Sequence, residues 1–353
     1  MSDVLKRDRR VDPATTAFLG LTPQQTLDAV EATGLRCTNV CVQLNSFENR
    51  VYQIELHDGS PLVVKLYRPG RWSAAQIREE HQFLNALAQV DVCVCDVIEL
   101  PKGGTLSQSG PLMLALFARQ GGRAPEEVTM AMSARLGAMV ARIHQVGVEL
   151  PVEHRVALNA DRLDDTLDWL LDQGALPADL VDRYVETARE IAAVLDERLT
   201  QVPRHAIHGD LHLGNLILRR DILHVLDFDD MMIGPACQDL WLLLPGRDEH
   251  TLRLRTAFLH GYRQFRDFDT RWLNLIEPLR GYRYVTYAAW LSRRWHDPMF
   301  PHTWPNFGTQ KWWQKATQDL EDVLAHLDAP VVPDQIDDWA EEGSDLWDWG
   351  ESR

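Results

Sequence analysis

One β-forming island interrupts two long helical stretches of this 353-residue chain, and it limits the fold more than any other feature. A polar run, His208-Gly209-Asp210-Leu211-His212-Leu213-Gly214-Asn215, leads into apolar runs at 216–220 and 222–226 that end on Asp227-Phe228-Asp229. Two strand-forming runs so closely joined predict a hairpin. A hairpin returns Asp227 to Asn215, twelve positions earlier. Singly, each residue reads as a turn Asp or a capping Asn. Together they offer a carboxylate for an attacking hydroxyl (Asp210) and two oxygens for a hard cation (Asn215, Asp227). Phosphoryl transfer needs those parts, with Mg²⁺ bridging the phosphates.

The chain before this island has a different texture. In 49–56 Tyr52, Ile54 and Leu56 alternate onto one face, Asp58-Gly59 signals a tight turn, and Pro61–Tyr67 reads as the partner strand. That strand carries Lys65 between apolar neighbours, which is costly unless the ammonium finds a partner. A helix is predicted over 73–89 with Ser73 as its N-cap, and short strands near 94–100 and 112–117. Leu27 and Val30 fall in a short helix that Gly34 can end, and residues 1–24 read as an irregular mobile arm. After Gly121-Gly122 the period becomes helical. Val128, Met132, Leu136, Met139 and Ile143 share one face, with Gly147 a candidate stop, and Leu180, Tyr184, Thr187, Ile191 and Leu195 share another. Helical pattern continues over 250–295 and 310–327.

The expected fold is therefore α+β with two lobes. A small β-rich N-lobe (25–118) is joined to a mainly helical C-lobe (119–328) carrying the hairpin, and 329–353 form a separate acidic tail. Between such lobes lies a cleft, the usual place for a ligand. The balance of 36 Lys+Arg against 52 Asp+Glu gives −16, which removes any general attraction to nucleic acid or to an anionic membrane. No apolar run approaches the roughly 18–20 residues of a spanning helix, and no apolar stretch follows the first charges as in a signal peptide. Five scattered cysteines without a metal-binding spacing suggest a reduced, cytoplasmic chain.

The string HGDLHLGN, followed by LDFDD and GPACQDLW, resembles the aminoglycoside and choline kinase branch of the protein-kinase-like fold. The strings Leu44-Asn45-Ser46-Phe47-Glu48-Asn49-Arg50-Val51-Tyr52, Val64-Lys65-Leu66-Tyr67-Arg68-Pro69, Glu79-Glu80-His81-Gln82-Phe83, Ile276-Glu277-Pro278-Leu279-Arg280 and Arg293-Arg294-Trp295 resemble the bacterial stress response kinase A family. Those are serine/threonine protein kinases, and the resemblance covers about 25–325. It implies ATP and Mg²⁺ as cofactors, Ser/Thr-bearing protein substrates, a monomer, and no nucleic acid or membrane partner. It also implies Lys65 on the α/β-phosphates with Glu80 as its partner (Glu79 the alternative), and Ser46 contacting ATP. Asp210 would be the base, Asn215 and Asp227 the metal ligands, and the adenine would meet backbone about Leu116–Ala118. No G-x-G-x-x-G is present, so exposed N–H groups and a hydroxyl must hold the phosphates. The second motif is Asp-Phe-Asp-Asp, without the usual glycine, and Asp229 and Asp230 are assigned no role.

Residue chemistry alone specifies only a hydroxyl acceptor. A small-molecule kinase for an amino sugar, choline or homoserine, and a nucleotide-binding scaffold with little catalysis, are the competing readings. Asp239 and His208 read as braces for the loop rather than as reacting groups. The tryptophans of 290–313 and the pair Cys93/Cys95 read as packing rather than as base-stacking or redox groups. Between Asp227 and Asp239 there is no Ser, Thr or Tyr, so activity is expected without phosphorylation of that segment.

Overall fold

The computed structural model describes residues 12–332. Two helices, α1 (Pro13–Leu19) and α2 (Pro23–Glu31), precede a five-stranded antiparallel sheet. The strands are β1 (Cys37–Gln43), β2 (Arg50–Leu56), β3 (Pro61–Leu66), β4 (Ser107–Ser109) and β5 (Leu112–Ala118), in the order β1-β2-β3-β5-β4. Helix α3 (Ala74–Gln89) lies between β3 and β4 in the chain. The helical part follows: α4 (Met130–Glu149), α5 (Asp161–Asp172) and α6 (Val181–Leu199). Two two-stranded pieces come next: β6 (Arg204–Ile207) pairs with β9 (Met232–Pro235), and β7 (Leu216–Arg219) with β8 (Ile222–Val225). Helices α7 (Cys237–Leu243), α8 (Glu249–Tyr262), α9 (Ile276–Arg294), α10 (Met299–Thr303) and α11 (Gln310–Ala325) complete the described chain.

Alternation in the central strand places Lys65. Leu62, Val64 and Leu66 face one hydrophobic cluster with Tyr52, Ile54, Leu114, Leu116 and the α1–α2 residues Phe18, Leu27 and Val30. The intervening positions Val63, Lys65 and Tyr67 face the other way, where Tyr67 joins α3 and the helical core. Lys65 pairs with Val51 on one side and Ala115 on the other, so its backbone is held by two neighbouring strands. Helix α3 starts at a reciprocal capping box between Ser73 and Gln76, and its buried face carries Ile77, Glu80, Phe83, Leu84 and Leu87.

Three local expectations are corrected. Residues 13–19 are helical rather than an arm: Asp12 accepts the N–H groups of Ala14 and Thr15, Pro13 opens the first turn, and Phe18 is buried. Residues 1–11 lie outside the described residues, as does the tail beyond 332 with its three tryptophans. The 94–100 segment makes no strand. Val94 bridges β8 at Val225 while Val97 bridges β5 at Phe117, and one short segment serving two sheets cannot extend a ladder on either. Gly147 does not stop α4, which continues to Glu149. A Cβ there would lie 1.9 Å from the carbonyl oxygen of Ala206, so the glycine lets the helix press on β6, the strand that leads into the loop carrying Asp210.

The tryptophan-rich stretch packs as expected. Trp290 meets Phe300 and Trp304 edge to face at 4.9 Å and 5.5 Å, Phe300 and Trp304 lie tilted at 5.2 Å, and Trp313 is fully buried beside Phe307 and Tyr184. Cys93 and Cys95 are free and partly buried, and burial pushes the Cys95 thiol up to about 12, which leaves it inert at neutral pH.

Candidate active site

The hairpin closes on a two-residue turn, Arg220-Asp221, both with positive φ, the geometry that matches strand twist. Arg219 pairs with Ile222 and Leu216 with Val225. The ladder runs one pair further, because the N–H of Leu226 donates to the carbonyl of Asn215 at 2.9 Å. Asn215 and Asp227 are thereby brought to the same end. Asp227 itself is in the left-handed region, φ 55°, and its carboxylate is about half exposed (52%). A non-glycine residue held there is uncommon and marks a constrained turn.

The loop before the hairpin is fixed from beneath. Fully buried Asp239 on α7 accepts the N–H of His208 at 2.9 Å and that of Gly209 at 2.8 Å. Its Oδ2 also lies 3.1 Å from Nε2 of His144, whose Nδ1 meets the Tyr262 hydroxyl at 2.9 Å. Burial drives the His144 imidazole down, so the ring is neutral, donating to Asp239 and accepting from Tyr262. Although burial opposes it, the hydrogen bond from His144 holds the Asp239 carboxyl below its usual range. Gly209 has φ 84°, and a Cβ would stand 2.3 Å from the Asp230 carbonyl, which explains a glycine before Asp210. His208 Nε2 donates to the Leu226 carbonyl at 2.8 Å, tying the loop to the hairpin.

On this frame, Asp210 is partly buried, with its carboxylate 2.6 Å from Arg283. Asn215 Nδ2 donates to the Asp210 carbonyl at 2.9 Å, which leaves the Asn215 side-chain oxygen available for a cation. Lys65 Nζ lies 3.1 Å from Glu80, 3.3 Å from Asp227 and 2.9 Å from Asp229. Burial alone would lower the lysine, but Asp229 and Glu80 outweigh it and hold the ammonium well above its ordinary range. Asp229 stays ionised despite its own burial because Lys65 and Arg71 face it. The partner on α3 is Glu80, which also meets Arg155 at 3.2 Å. Glu79 is turned away, accepting the N–H groups of Glu153, His154 and Arg155 at 2.7–2.9 Å.

Ser46 lies in the loop between β1 and β2, where its hydroxyl accepts the N–H of Asn49 at 3.3 Å. The same loop is fastened across the cleft by Glu48, whose carboxylate meets Arg294 and Trp290 of α9 at 2.7 Å and Arg71 at 2.7 Å. A second clasp is buried Asp297, 2.9 Å from Arg68 and 3.2 Å from Arg50. Backbone groups at the expected adenine position are partly engaged. The Leu116 carbonyl already accepts from Ile98 and the Ala118 N–H donates to Asp96, both at 2.8 Å, whereas 119–122 make no backbone–backbone hydrogen bond.

Sequence reasoning left out Asp229, Arg71, Glu48 and Arg283, which all stand in this network. The doubled acid of LDFDD was the only local signal for Asp229. Arg283 lies 2.6 Å from Asp210, on α9 between the strings 276–280 and 293–295 and in neither of them.

Residues 40–276 match the model of the phosphotransferase enzyme family. The chain is 37% identical over 318 residues to "Stress response kinase A" of Salmonella choleraesuis, covering 89% of this chain and 96% of that protein. It is likewise 37% identical, with the same coverage, to "Serine/threonine protein kinase RdoA" of Salmonella typhimurium. Among solved structures, the amicoumacin kinase hAmiN, in complex with AMP-PNP, Ca²⁺ and Ami, superposes with a TM-score of 0.69 at 21% identity, covering 89% of this chain and 96% of that one. At that identity the likeness speaks for the fold alone. No helix among the described residues is long and apolar enough to cross a membrane.

Proposed function

The chain belongs to the stress response kinase A family of phosphotransferases, and we propose that it transfers the γ-phosphoryl of ATP to Ser/Thr hydroxyls of proteins in a Mg²⁺-dependent reaction. The proposed setting is the bacterial cytoplasm under stress, with the chain acting as a monomer. The observation that carries the reading is the convergence of Lys65, Asp227, Asn215 and Asp210 from a β-strand, a hairpin and a braced loop onto one cleft. A chain that only bound nucleotide would need no carboxylate at the Asp210 position.

In this reading residues 25–118 hold the phosphates and 119–328 supply the catalytic loop. Lys65, kept ionised between Glu80 and Asp229, aligns the α/β-phosphates, while Ser46 and the N–H groups of 44–49 cover them. Asn215 Oδ1 and the half-exposed Asp227 carboxylate would hold Mg²⁺, a hard cation that suits two oxygen donors plus phosphate and water and would neutralise phosphate charge. Asp210 orients the acceptor hydroxyl and takes its proton, help typically worth about 10²–10⁴ in rate. The adenine meets the backbone of 119–122. The deciding experiment is incubation with labelled ATP, Mg²⁺ and cell extract, comparing wild type with Asp210→Ala. Labelled protein bands that vanish in the variant support the reading. Transfer to an added amino alcohol or amino sugar, with no labelled protein, would replace it with a small-molecule kinase.

A further inference from the structure

We propose that Arg283 on α9 is the positioning residue for the Asp210 carboxylate; this rests on Asp210 being the base of the reaction proposed above. The main chain of Asp210 is held at both ends. Its N–H meets His208 Nδ1 at 3.3 Å and its carbonyl accepts from Asn215 Nδ2 at 2.9 Å. Nothing in the catalytic loop holds its side chain, which with a fixed backbone can still turn about two torsions. Among the described residues, two basic groups approach it. Arg283 Nη1 is 2.6 Å from Oδ1, and His212 Nε2 is 3.8 Å from Oδ2, beyond hydrogen-bond reach. Buried Oδ1 receives no aligned hydrogen bond, so the Arg283 charge is what keeps it in place. Oδ2 is then the oxygen left for the acceptor hydroxyl.

The pairing is selective. Asp210 is the one carboxylate within ion-pair distance of Arg283 among the described residues, although the chain carries a large excess of acid. The guanidinium is 37% exposed, so it stands at the cleft wall and not in the core. Its helix is itself anchored to the other side of the cleft. Residues 283, 287, 290 and 294 recur at helical spacing on one face. The Tyr287 ring stacks on Trp290 at 5.6 Å, and Trp290 and Arg294 both bind Glu48 of the phosphate loop at 2.7 Å. One helix face, about 16 Å long from 283 to 294 at 1.5 Å per residue, therefore touches the donor-side loop at one end and the acceptor-side base at the other. Arg283 sets the base against the same rigid element that seats the phosphates.

The test is a double-mutant cycle on the full chain, which separates action through Asp210 from direct action on phosphate. Arg283→Met is expected to lower phosphoryl transfer about 10–100-fold at saturating ATP and acceptor, since misplacement by about 1 Å costs on that order. Mg·ATP affinity should stay within twofold. The ratio of ATP hydrolysed to ATP transferred should rise, because attack by water needs no held hydroxyl. In an Asp210→Asn chain, Arg283→Met should change single-turnover transfer by less than threefold, and Arg283→Lys should recover part of the wild-type rate. A full additional loss in the Asp210→Asn background overturns the proposal and assigns the guanidinium to the transferring phosphoryl group. An equal fall in hydrolysis and transfer also overturns it, because a merely structural role lowers both alike. If wild type phosphorylates a small alcohol and no protein, the proposed acceptor class fails, while the cycle run with that alcohol still decides the role of Arg283.

Discussion

Asp229 Oδ1 lies 2.9 Å from Lys65 Nζ, nearer than either Glu80 at 3.1 Å or Asp227 at 3.3 Å. Two of these three carboxylates are buried and one is half exposed, which divides their work. Glu80 and Asp229 hold the ammonium from inside, and Asp227 remains free to turn toward a cation. Asp229 is itself fixed by Arg71 at 3.2 Å and by the Trp72 indole N–H at 3.3 Å.

Asp229→Asn removes one charge from a buried cluster and leaves Lys65 and Arg71 short of a counter-ion. Breaking a buried pair from one side typically costs about 3–5 kcal/mol. We expect stability to fall by about 3 kcal/mol and Mg·ATP affinity by about tenfold, because the lysine loses its fixed position. Chemical denaturation and nucleotide titration check the two effects separately. An Asp229→Asn chain with wild-type stability and affinity would show that Glu80 alone holds the lysine.

Asp210→Asn and Asp227→Ala should fail in different ways. The Asp210 carboxylate pairs with Arg283 and makes no ion pair with Lys65 among the described residues, so in the proposed reaction its loss is expected to remove turnover while ATP affinity stays within a few-fold. Asp227→Ala removes a charged oxygen from the side of the cleft that carries Lys65. Mg·ATP binding and catalysis should weaken together, and the dependence of rate on Mg²⁺ should shift to higher concentration. Unchanged metal dependence would remove Asp227 from the metal site.

Much of this site was readable because it is local. His208 to Asp227 form one continuous loop and hairpin, and the hairpin spacing is what brings Asn215 and Asp227 to one end. Lys65 and Glu80 were also legible: one stands in a strand of alternating pattern, the other on the buried face of a capped helix. Asp229 was not, since an acid beside an acid reads equally well as solvent-facing, and only burial against Lys65 distinguishes it. Arg283 and Glu48 were assigned no such contacts for a different reason. Their partners come from elements far apart in the chain, and helical periodicity reports which face a residue occupies, not what the fold brings to it. The helix at 13–19 carried a readable Asp-Pro start, but its short apolar face was too weak a signal until β2 and β3 supplied something to bury Phe18.

Acid should destabilise the protein through its buried histidines. Burial, helped by Lys65 and Arg155, pushes His81 down to about 3, where it bridges the Tyr67 and Thr105 hydroxyls at 3.1 Å and 2.7 Å. Burial, helped by His144 and Arg266, pushes His205 down to about 2. Unfolded histidine titrates near about 6.5, so below that pH the unfolded chain binds more protons than the folded one. Stability is then complete above about pH 6.5 and is lost progressively as pH falls toward 3. Glu80 and Asp230, which burial holds above the usual carboxylate range, act in the opposite sense. A single variant isolates one contribution: His81→Gln should show a smaller difference in melting temperature between pH 7.5 and 5.5 than wild type. An equal difference in both chains would mean that His81 does not contribute to the acid loss.

The end of the described chain sets a boundary for truncation. Val331 and Val332 pack against the helical core, and the Val331 carbonyl accepts from Arg255 Nη1 at 3.2 Å. Arg255 is almost fully buried and has no carboxylate within ion-pair distance among the described residues, so its charge is spread over carbonyls: Val331, Leu244 and Gly246. Burial lowers its guanidinium to about 10, which leaves it charged at neutral pH and in need of those acceptors. Removing 331–353 takes one of them away and uncovers apolar surface. A lost hydrogen bond to a charged group is worth about 1.5–3 kcal/mol. Residues 333–353 carry eight acidic side chains against one basic. Deletion of 333–353 is therefore expected to leave ATP turnover and melting temperature unchanged, whereas deletion of 331–353 should lower the melting temperature by several degrees with turnover retained. Melting curves for the two truncated chains, recorded beside wild type, check both outcomes. Equal losses in the two chains would move the boundary of the packed core past residue 332.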